Sequence, residues 1–208
     1  MAMAEKRKKI ILAESIPIKF IEEVEYDSIA TLKWRTLSGE YLENFETYLQ
    51  NMLENIVKAK NHEYKFVVSA DSQRVGKHIV YVIAIVVLDE GHGGRAFYLR
   101  EKEEIEGFIP LHKDVNKKVH DLKMQNIMRR RLWNECVKSV KCAIWLDKIL
   151  ENYGFKVNEI HSDISKNKKY KSSELAKAIT GYVEASGYVN VLKPDAWAAS
   201  SIANWKTK

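Results

Sequence analysis

The sequence predicts an α/β protein built on one mixed five-stranded sheet, with helices on both faces and an extra helix ahead of the first strand. Apolar residues recur at helical spacing in several long stretches, and five short runs rich in β-branched residues lie between or after these stretches. The 208 residues are 46% hydrophobic and 30% charged, the composition of an ordinary globular domain. A chain of this length buries roughly 70% of its unfolded surface, which is enough for a core without disulfides.

The extra helix is predicted over residues 40–60. Apolar side chains recur from Tyr41 to Val57 at spacings of three and four residues, and Ser38-Gly39 precedes them as a candidate cap. Residues 1–37 are predicted to be an N-terminal extension, in which Ala30 to Leu37 has the composition of a short strand. Residues 38–208 are predicted to form a single domain.

Three strands follow this helix with only short turns between them. They are predicted at Lys65 to Asp71, Lys77 to Leu88 and Arg95 to Arg100. The middle run is almost continuously apolar, which is typical of a central strand that is covered on both faces. Gly76 and the GHGG segment at 91–94 mark the turns, so the three strands form an antiparallel meander.

The second half of the chain alternates helices and strands. The predicted order is a helix at about Asn116 to Tyr153, a strand at Lys156 to Asp163, a helix from Ser172 or Ser173 to Gly187, a strand at Tyr188 to Leu192, and a last helix at Ala196 to Trp205. Cys136 and Cys142 lie six positions apart in the long helix and face away from each other, so both are predicted to be buried, unpaired thiols. Three antiparallel strands followed by α/β crossovers match the order of the ribonuclease H fold.

Acidic residues fall at places where this topology brings strand ends together. Asp71 ends the first strand, Asp163 ends the fourth, and Asp195 begins the last helix. Carboxylates that converge repel one another unless a cation neutralises them, and hard divalent cations prefer oxygen ligands. These three residues are therefore predicted to be catalytic ligands of Mg²⁺ or Mn²⁺, although each alone also fits a turn or a helix cap.

A fourth acid is predicted from the long helix. Glu135 lies between the third and fourth strands and is the candidate that we favour as catalytic residue and metal ligand. Asp121 and Asp147 belong to the same predicted helix and stay open as alternatives.

Four segments that surround these acids resemble the YkuK-type family of predicted ribonuclease-H-like proteins. They are Val68 to Gln73, Leu132 to Val140, Glu159 to Ile164 and Lys193 to Ser201, of which the last (KPDAWAASS) is the most specific. The resemblance runs from about Thr36 to Lys208. It implies a ribonuclease H-like fold and a metal-dependent nuclease.

The charge distribution indicates a polyanionic partner. The net charge is +6, and basic clusters occur at Lys6 to Lys9, at Arg129 to Arg131 and in the run that follows Asp163. Four lysines of that run are predicted to contact the phosphates of a nucleic acid near the acids: Lys166, Lys168, Lys169 and Lys171. The six histidines show no ligand spacing in the sequence, so the sequence predicts no zinc site.

The function predicted from these residues is a divalent-metal-dependent nuclease acting on RNA, an RNA–DNA hybrid or structured DNA. Two other classes stay open: a non-catalytic nucleic-acid-binding module on the same fold, and a protein-interaction or assembly factor that docks through the leading helix. The longest apolar run, Ile79 to Leu88, is about half of a membrane span, and no secretory signal follows the basic start. We expect a cytoplasmic protein without a membrane partner, and the sequence leaves its oligomeric state open.

Overall fold

A computed structural model describes residues 26–59, 62–105, 117–167, 169, 172–198 and 201–202. The described residues form three α-helices: α1 (Phe45–Lys58), α2 (Lys117–Leu150) and α3 (Ser173–Ala185). They also form six strands: β1 (Arg35–Thr36), β2 (Tyr64–Val75), β3 (His78–Asp89), β4 (Gly93–Glu104), β5 (Val157–Ser165) and β6 (Val189–Lys193). Two 3₁₀ segments, Tyr26–Thr31 and Glu151–Tyr153, complete the regular structure in these ranges.

All six strands belong to one mixed sheet in the order β1-β4-β3-β2-β5-β6. The strands β2, β3 and β4 pair antiparallel, as predicted for the meander, whereas β5 lies parallel to both β2 and β6. The predicted fold class is confirmed. The sixth strand, β1, lies within the stretch Ala30 to Leu37, which has the composition of a short strand, and it pairs with β4 outside the predicted five-stranded core of the sheet.

The core has two parts, one on each face of the sheet. Alternate residues of β3, from Ile79 to Val87, pack on the larger core, to which α1, α2 and α3 all contribute. The other face carries a smaller core, in which Val82, Ala84 and Val86 meet Ala198 and Ile202 from the C-terminal segment. The middle strand is therefore buried on both faces, as its continuous apolar run predicts.

Several predicted boundaries need correction. The cap of α1 is Asn44, whose side chain accepts a hydrogen bond from the Thr47 N–H at 3.0 Å, and not the predicted Ser38-Gly39. The helix therefore begins five residues after position 40. The helix α2 is unbroken, and Gly154 ends the 3₁₀ turn that follows it with a left-handed φ of 78°.

Residues ahead of α1 belong to the same core as the sheet. Trp34 is fully buried, donates its indole N–H to the Ile29 carbonyl at 3.1 Å, and stacks on Phe45 of α1. The boundary between residues 37 and 38 stays a prediction, although Ile29 and Trp34 are core residues on its N-terminal side. No helix in the described ranges is long and apolar enough to span a bilayer. The basic cluster from Lys6 to Lys9 lies outside the described residues, as does half of the predicted last helix, at positions 199–200 and 203–205.

Candidate active site

Asp71 and Asp163 lie side by side on two neighbouring parallel strands. The paired stretch of β2 and β5 runs up to Ala70 and Ser162, and the next residue along each strand is one of these two aspartates. Neighbouring strands are about 4.8 Å apart, and paired residues of parallel strands point to the same face. The sheet therefore places the two carboxyl groups at one end of the same strand pair, as the topology predicts.

Glu135 reaches the same place from α2. Its side chain is 4% exposed, and its Oε1 accepts a hydrogen bond of 2.5 Å from the Ser72 hydroxyl. Arg131, one helical turn earlier, donates to the Ser72 carbonyl at 2.8 Å and holds its Nε 3.9 Å from Glu135 Oε1. Ser72 therefore anchors both Glu135 and Arg131 of α2 to the end of β2.

Two of the three acids, Asp71 and Glu135, have raised pKa values. Burial and the charge of Asp163 raise the pKa of Asp71 to about 6, although the Ser72 N–H, which donates to Asp71 Oδ1 at 2.7 Å, lowers it. Burial and the charge of Asp71 raise the pKa of Glu135 to about 8, against the lowering influence of Arg131 and Ser72. A carboxyl group with a pKa near 8 holds its proton at neutral pH unless additional positive charge is supplied.

The donor set fits a hard divalent cation, because it offers only oxygen atoms. These oxygens are spread more widely than in a direct three-ligand site. Among the described residues, the only His, Cys, Asp or Glu group whose ligand atoms all lie within 4.8 Å is His62, Asp89 and His92. An ion held by these acids would therefore keep waters in its shell, or two ions would share the acids, since the three carboxylates do not form one direct three-ligand site.

Asp195 lies in the turn that follows β6, and its side chain is exposed. It is not among the charges that most affect the pKa of Asp71 or of Glu135. Nearby Lys193 instead forms an ion pair with Asp163. The role of Asp195 as a metal ligand stays a prediction.

His161 fastens the C-terminal segment to the sheet. It lies two residues before Asp163 and is 2% exposed. Its Nε2 bonds to a Glu159 carboxylate oxygen at 2.9 Å, and its Nδ1 accepts the Ala198 N–H at 3.3 Å. The edge of its ring meets Trp197 at 5.4 Å between centroids. Burial lowers the pKa of His161, so the neutral ring with its proton on Nε2 matches both contacts.

The predicted basic clusters divide into two kinds. Lys166 and Lys169 are exposed in the loop after β5, whereas Lys168 and Lys171 lie outside the described residues. In the other cluster, Arg129 pairs with Glu174 at 2.6 Å and Arg130 pairs with Glu103. Together with Arg131, these arginines are committed to contacts within the fold.

Two alternatives to Glu135 have other surroundings. Asp121 is 64% exposed in the second turn of α2. Asp147 accepts hydrogen bonds from the Val157 N–H at 2.6 Å and from the Tyr188 hydroxyl at 2.8 Å, so it links α2 to the start of β5 and to the residue before β6.

Sequence reasoning missed the contribution of Ser72, Arg131 and Lys193. For Arg131 a signal existed, because it precedes Glu135 by four residues and so shares its helix face.

Comparison with known proteins agrees with this architecture. The model of the Ribonuclease H-like family matches residues 47–208, more than half of the chain. The chain therefore belongs to the ribonuclease H-like family, and this membership indicates a nuclease or a nucleic-acid-binding protein. Neither the curated proteins nor the solved structures contain a match.

Proposed function

We propose that the protein is a divalent-metal-dependent nuclease that hydrolyses phosphodiester bonds in RNA, an RNA–DNA hybrid or structured DNA. One observation carries this proposal. Asp71, Glu135 and Asp163 come from three elements to one end of the β2–β5 pair, and burial together with the neighbouring charges raises the pKa of Asp71 and Glu135. Such an arrangement of charged carboxylates costs stability, and a bound cation would remove that cost.

Mg²⁺ or Mn²⁺ would be held by Asp71, Glu135 and Asp163, with Asp195 as the predicted fourth ligand. When bound, such ions activate a water and stabilise the leaving oxygen of a phosphodiester. The chain's own residues prepare this place. The Ser72 hydroxyl fixes one oxygen of Glu135, and Arg131 holds the backbone of Ser72. Lys193 forms an ion pair with Asp163, and its side chain is 43% exposed, so it could move toward a phosphate.

The nucleic acid would approach over the loop that follows β5. Lys166 and Lys169 are exposed there, close in sequence to Asp163, and Lys168 and Lys171 complete the predicted group. Lysines of this kind contact phosphates without reading bases, which agrees with a substrate class defined by backbone and shape. We also propose membership of the YkuK-type subgroup and a cytoplasmic location, both of which rest on the sequence alone.

One observation favours a second candidate, the non-catalytic nucleic-acid-binding module. Lys193 neutralises Asp163 within the chain, and the carboxylates do not converge as closely as a direct three-ligand site requires. A binding module would use the same exposed lysines without hydrolysis.

A cleavage and binding assay separates the two candidates. Labelled single-stranded RNA, duplex RNA, RNA–DNA hybrid and branched DNA are incubated with the purified protein in Mg²⁺ or Mn²⁺. We expect cleavage of at least one substrate, its loss with Asp71→Asn, and unchanged or tighter binding by that variant, because one negative charge beside the phosphates is gone. Asp121→Asn is the matched control, since it removes an exposed carboxylate of α2, and it should cleave like the wild type.

Each other result has a defined meaning. Binding of these substrates without cleavage in either metal overturns the nuclease and supports the binding module. Absence of both binding and cleavage at low salt overturns both nucleic-acid functions and leaves the interaction role. Cleavage that survives Asp71→Asn contradicts the assignment of the site.

A further inference from the structure

A histidine ahead of β2 meets an aspartate and a second histidine of the β3–β4 turn, at the opposite end of the sheet from the acids. His62 precedes β2, Asp89 ends β3, and His92 lies in the hairpin between β3 and β4. His62 Nδ1 is 2.8 Å from Asp89 Oδ2, and His92 Nδ1 is 3.2 Å from Asp89 Oδ1. The two imidazole rings face each other with centroids 4.6 Å apart. One atom from each residue lies within 4.8 Å of the other two.

The backbone holds these residues in place. The Glu90 N–H donates to the Glu63 carbonyl at 2.9 Å, which ties the segment of His62 to the hairpin. The His92 N–H donates to the Asp89 carbonyl at 2.9 Å and closes the turn. Gly91 and Gly93, on either side of His92, have φ values of 81° and 112°, which residues with a side chain rarely adopt. The positions of the three side chains therefore depend on a tight hairpin rather than on a loose loop.

The carboxylate at the centre has a supporting partner. Tyr64 pairs with Asp89 in the register of β2 and β3, and burial together with the charge of Asp89 raises the pKa of Tyr64. The Tyr64 ring also stacks on His62 with an interplanar angle of 14°. In metal sites, groups that pack around the ligands in this way fix the orientation of the ligand atoms.

We propose that His62, Asp89 and His92 form a second metal site, which binds a borderline divalent cation of the Zn²⁺, Co²⁺ or Ni²⁺ class. Two imidazole nitrogens and one carboxylate oxygen suit these ions, whereas Mg²⁺ prefers oxygen ligands only. Metal–ligand bonds of about 2.0–2.2 Å around a tetrahedral ion separate the ligand atoms by roughly 3.4 Å. The nitrogen-to-oxygen separations of 2.8 Å and 3.2 Å need only a small expansion to reach that value.

Three protein ligands leave a coordination position for water. His62 Nδ1 now hydrogen-bonds to Asp89, and His92 Nδ1 lies 3.0 Å from the Glu90 carbonyl oxygen. A metal ion would replace the protons on these nitrogens, so binding releases protons and weakens at acidic pH. It would also cross-link the start of β2 to the β3–β4 hairpin, and so stabilise this end of the sheet.

This site is independent of the proposed nuclease site. Asp89 pairs with Tyr64 in the register of β2 and β3, and Asp71 lies seven residues further along β2. Seven residues of strand span roughly 23 Å. The ligand chemistry differs too, so failure of one site leaves the other standing.

Titration of the metal-free full chain with Co²⁺ tests the proposal, since Co²⁺ bound by nitrogen and oxygen ligands absorbs visible light. Zn²⁺ is then added as competitor, and Zn²⁺ binding is also measured by calorimetry. We expect one saturable Co²⁺ signal that Zn²⁺ displaces. His92→Ala and Asp89→Asn should each weaken binding on the order of 100-fold or more, because each removes a ligand, and loss of an outer partner alone already costs roughly 10-fold to 100-fold.

Two controls keep the outcome specific. His78→Ala removes a histidine at the far end of β3, and Asp71→Asn removes an acid of the other site, so both should keep the Co²⁺ signal. Circular dichroism shows whether each variant is folded. His92 is exposed in a hairpin turn, so His92→Ala should fold like the wild type. A wild type without a Co²⁺ signal, or a signal that survives both His92→Ala and Asp89→Asn, overturns the proposal.

Discussion

The two ends of the β2 strand carry ionisable groups under opposite conditions. At one end, burial and neighbouring carboxylates raise the pKa of Asp71 and of Glu135. At the other end, Asp89 lies between two histidines near water, and its pKa is lowered. The first cluster brings carboxylates together, whereas in the second a carboxylate is hydrogen-bonded to a histidine. Under the two proposals, a cation at the first end would stabilise the charged form of the acids, and a cation at the second end would displace protons.

The largest expected effect is on stability without metal. The pKa of Asp71 is raised to about 6 and that of Glu135 to about 8. Between the usual carboxylate pKa and these raised values, the folded protein therefore holds more protons than the unfolded chain. The free energy of unfolding should therefore fall as pH rises from about 4 to about 8. Asp71→Asn should flatten this fall and raise stability at pH 8 by up to about 3 kcal/mol. Urea unfolding of both proteins in EDTA at several pH values measures the free energy of unfolding and its dependence on pH.

Asp89→Asn is the counterpart at the other end. Because the pKa of Asp89 is lowered in the fold, its removal should reduce stability at neutral pH rather than raise it. The same sign for both variants would break the comparison between the two clusters.

Saturating Mg²⁺ or Mn²⁺ should raise the melting temperature of the wild type. An ion at 100 times its dissociation constant adds about 2.7 kcal/mol to the free energy of unfolding. Asp71→Asn should blunt the rise and His92→Ala should retain it, since the acids alone offer all-oxygen ligands. Scanning calorimetry of the three proteins, with and without ion, makes the test. An equal rise for Asp71→Asn and the wild type contradicts the acidic site.

Two histidines give a matched pair for the role of burial. His161→Ala removes a buried acceptor from the Ala198 N–H and should cost about 1–3 kcal/mol. His92→Ala in metal-free buffer should leave the melting temperature nearly unchanged, because His92 is exposed. Hydrogen exchange provides a local measure: in the His161 variant the Ala198 amide should exchange faster. Unchanged exchange at Ala198 would show that His161 does not hold the C-terminal segment.

The smallest expected effect concerns binding of nucleic acid. Replacing Lys166 and Lys169 by Ala should weaken binding to all sequences and reduce the slope of log K against log salt by about 0.7–0.9 for each phosphate that the protein no longer neutralises. Arg95→Ala removes an exposed positive charge near the histidine cluster and should leave the slope unchanged. Fluorescence anisotropy at several salt concentrations measures both. Equal slopes for all three proteins would place the nucleic acid elsewhere.

Periodicity and turn residues are sufficient to predict most of the fold. The continuous apolar run of β3 predicts a strand covered on both faces, and the order of elements predicts the β2–β5 pairing that sets Asp71 beside Asp163. The predicted cap of α1 is wrong because Ser38-Gly39 and Asn44 are both plausible caps, and only packing against Trp34 and the sheet selects between them. Composition marks a short strand somewhere in Ala30 to Leu37, but β1 has only two residues, too few for a periodic signal that would locate it.

The candidate sites show where sequence reasoning ends. Strand ends carry a topological signal, so the order of elements alone is enough to pair Asp71 with Asp163. The contact between Ser72 and Glu135 depends on how α2 crosses the sheet, and no local pattern records it. His62 and His92 are thirty positions apart, and only the register of β2, β3 and β4 brings them to one carboxylate. Spacing rules for metal ligands miss sites of this kind.

The most direct test of the central claim is a crystal of the full chain grown with Mn²⁺, with anomalous scattering measured at the manganese edge. The account predicts one or two anomalous peaks within coordination distance of Asp71 and Asp163, with Glu135 in the same shell or one water away. It also predicts that Asp71→Asn crystals lose these peaks. Well-ordered acids without an anomalous peak at saturating Mn²⁺, or a peak at His62 and His92 alone, would contradict a catalytic metal centre at the end of β2 and β5.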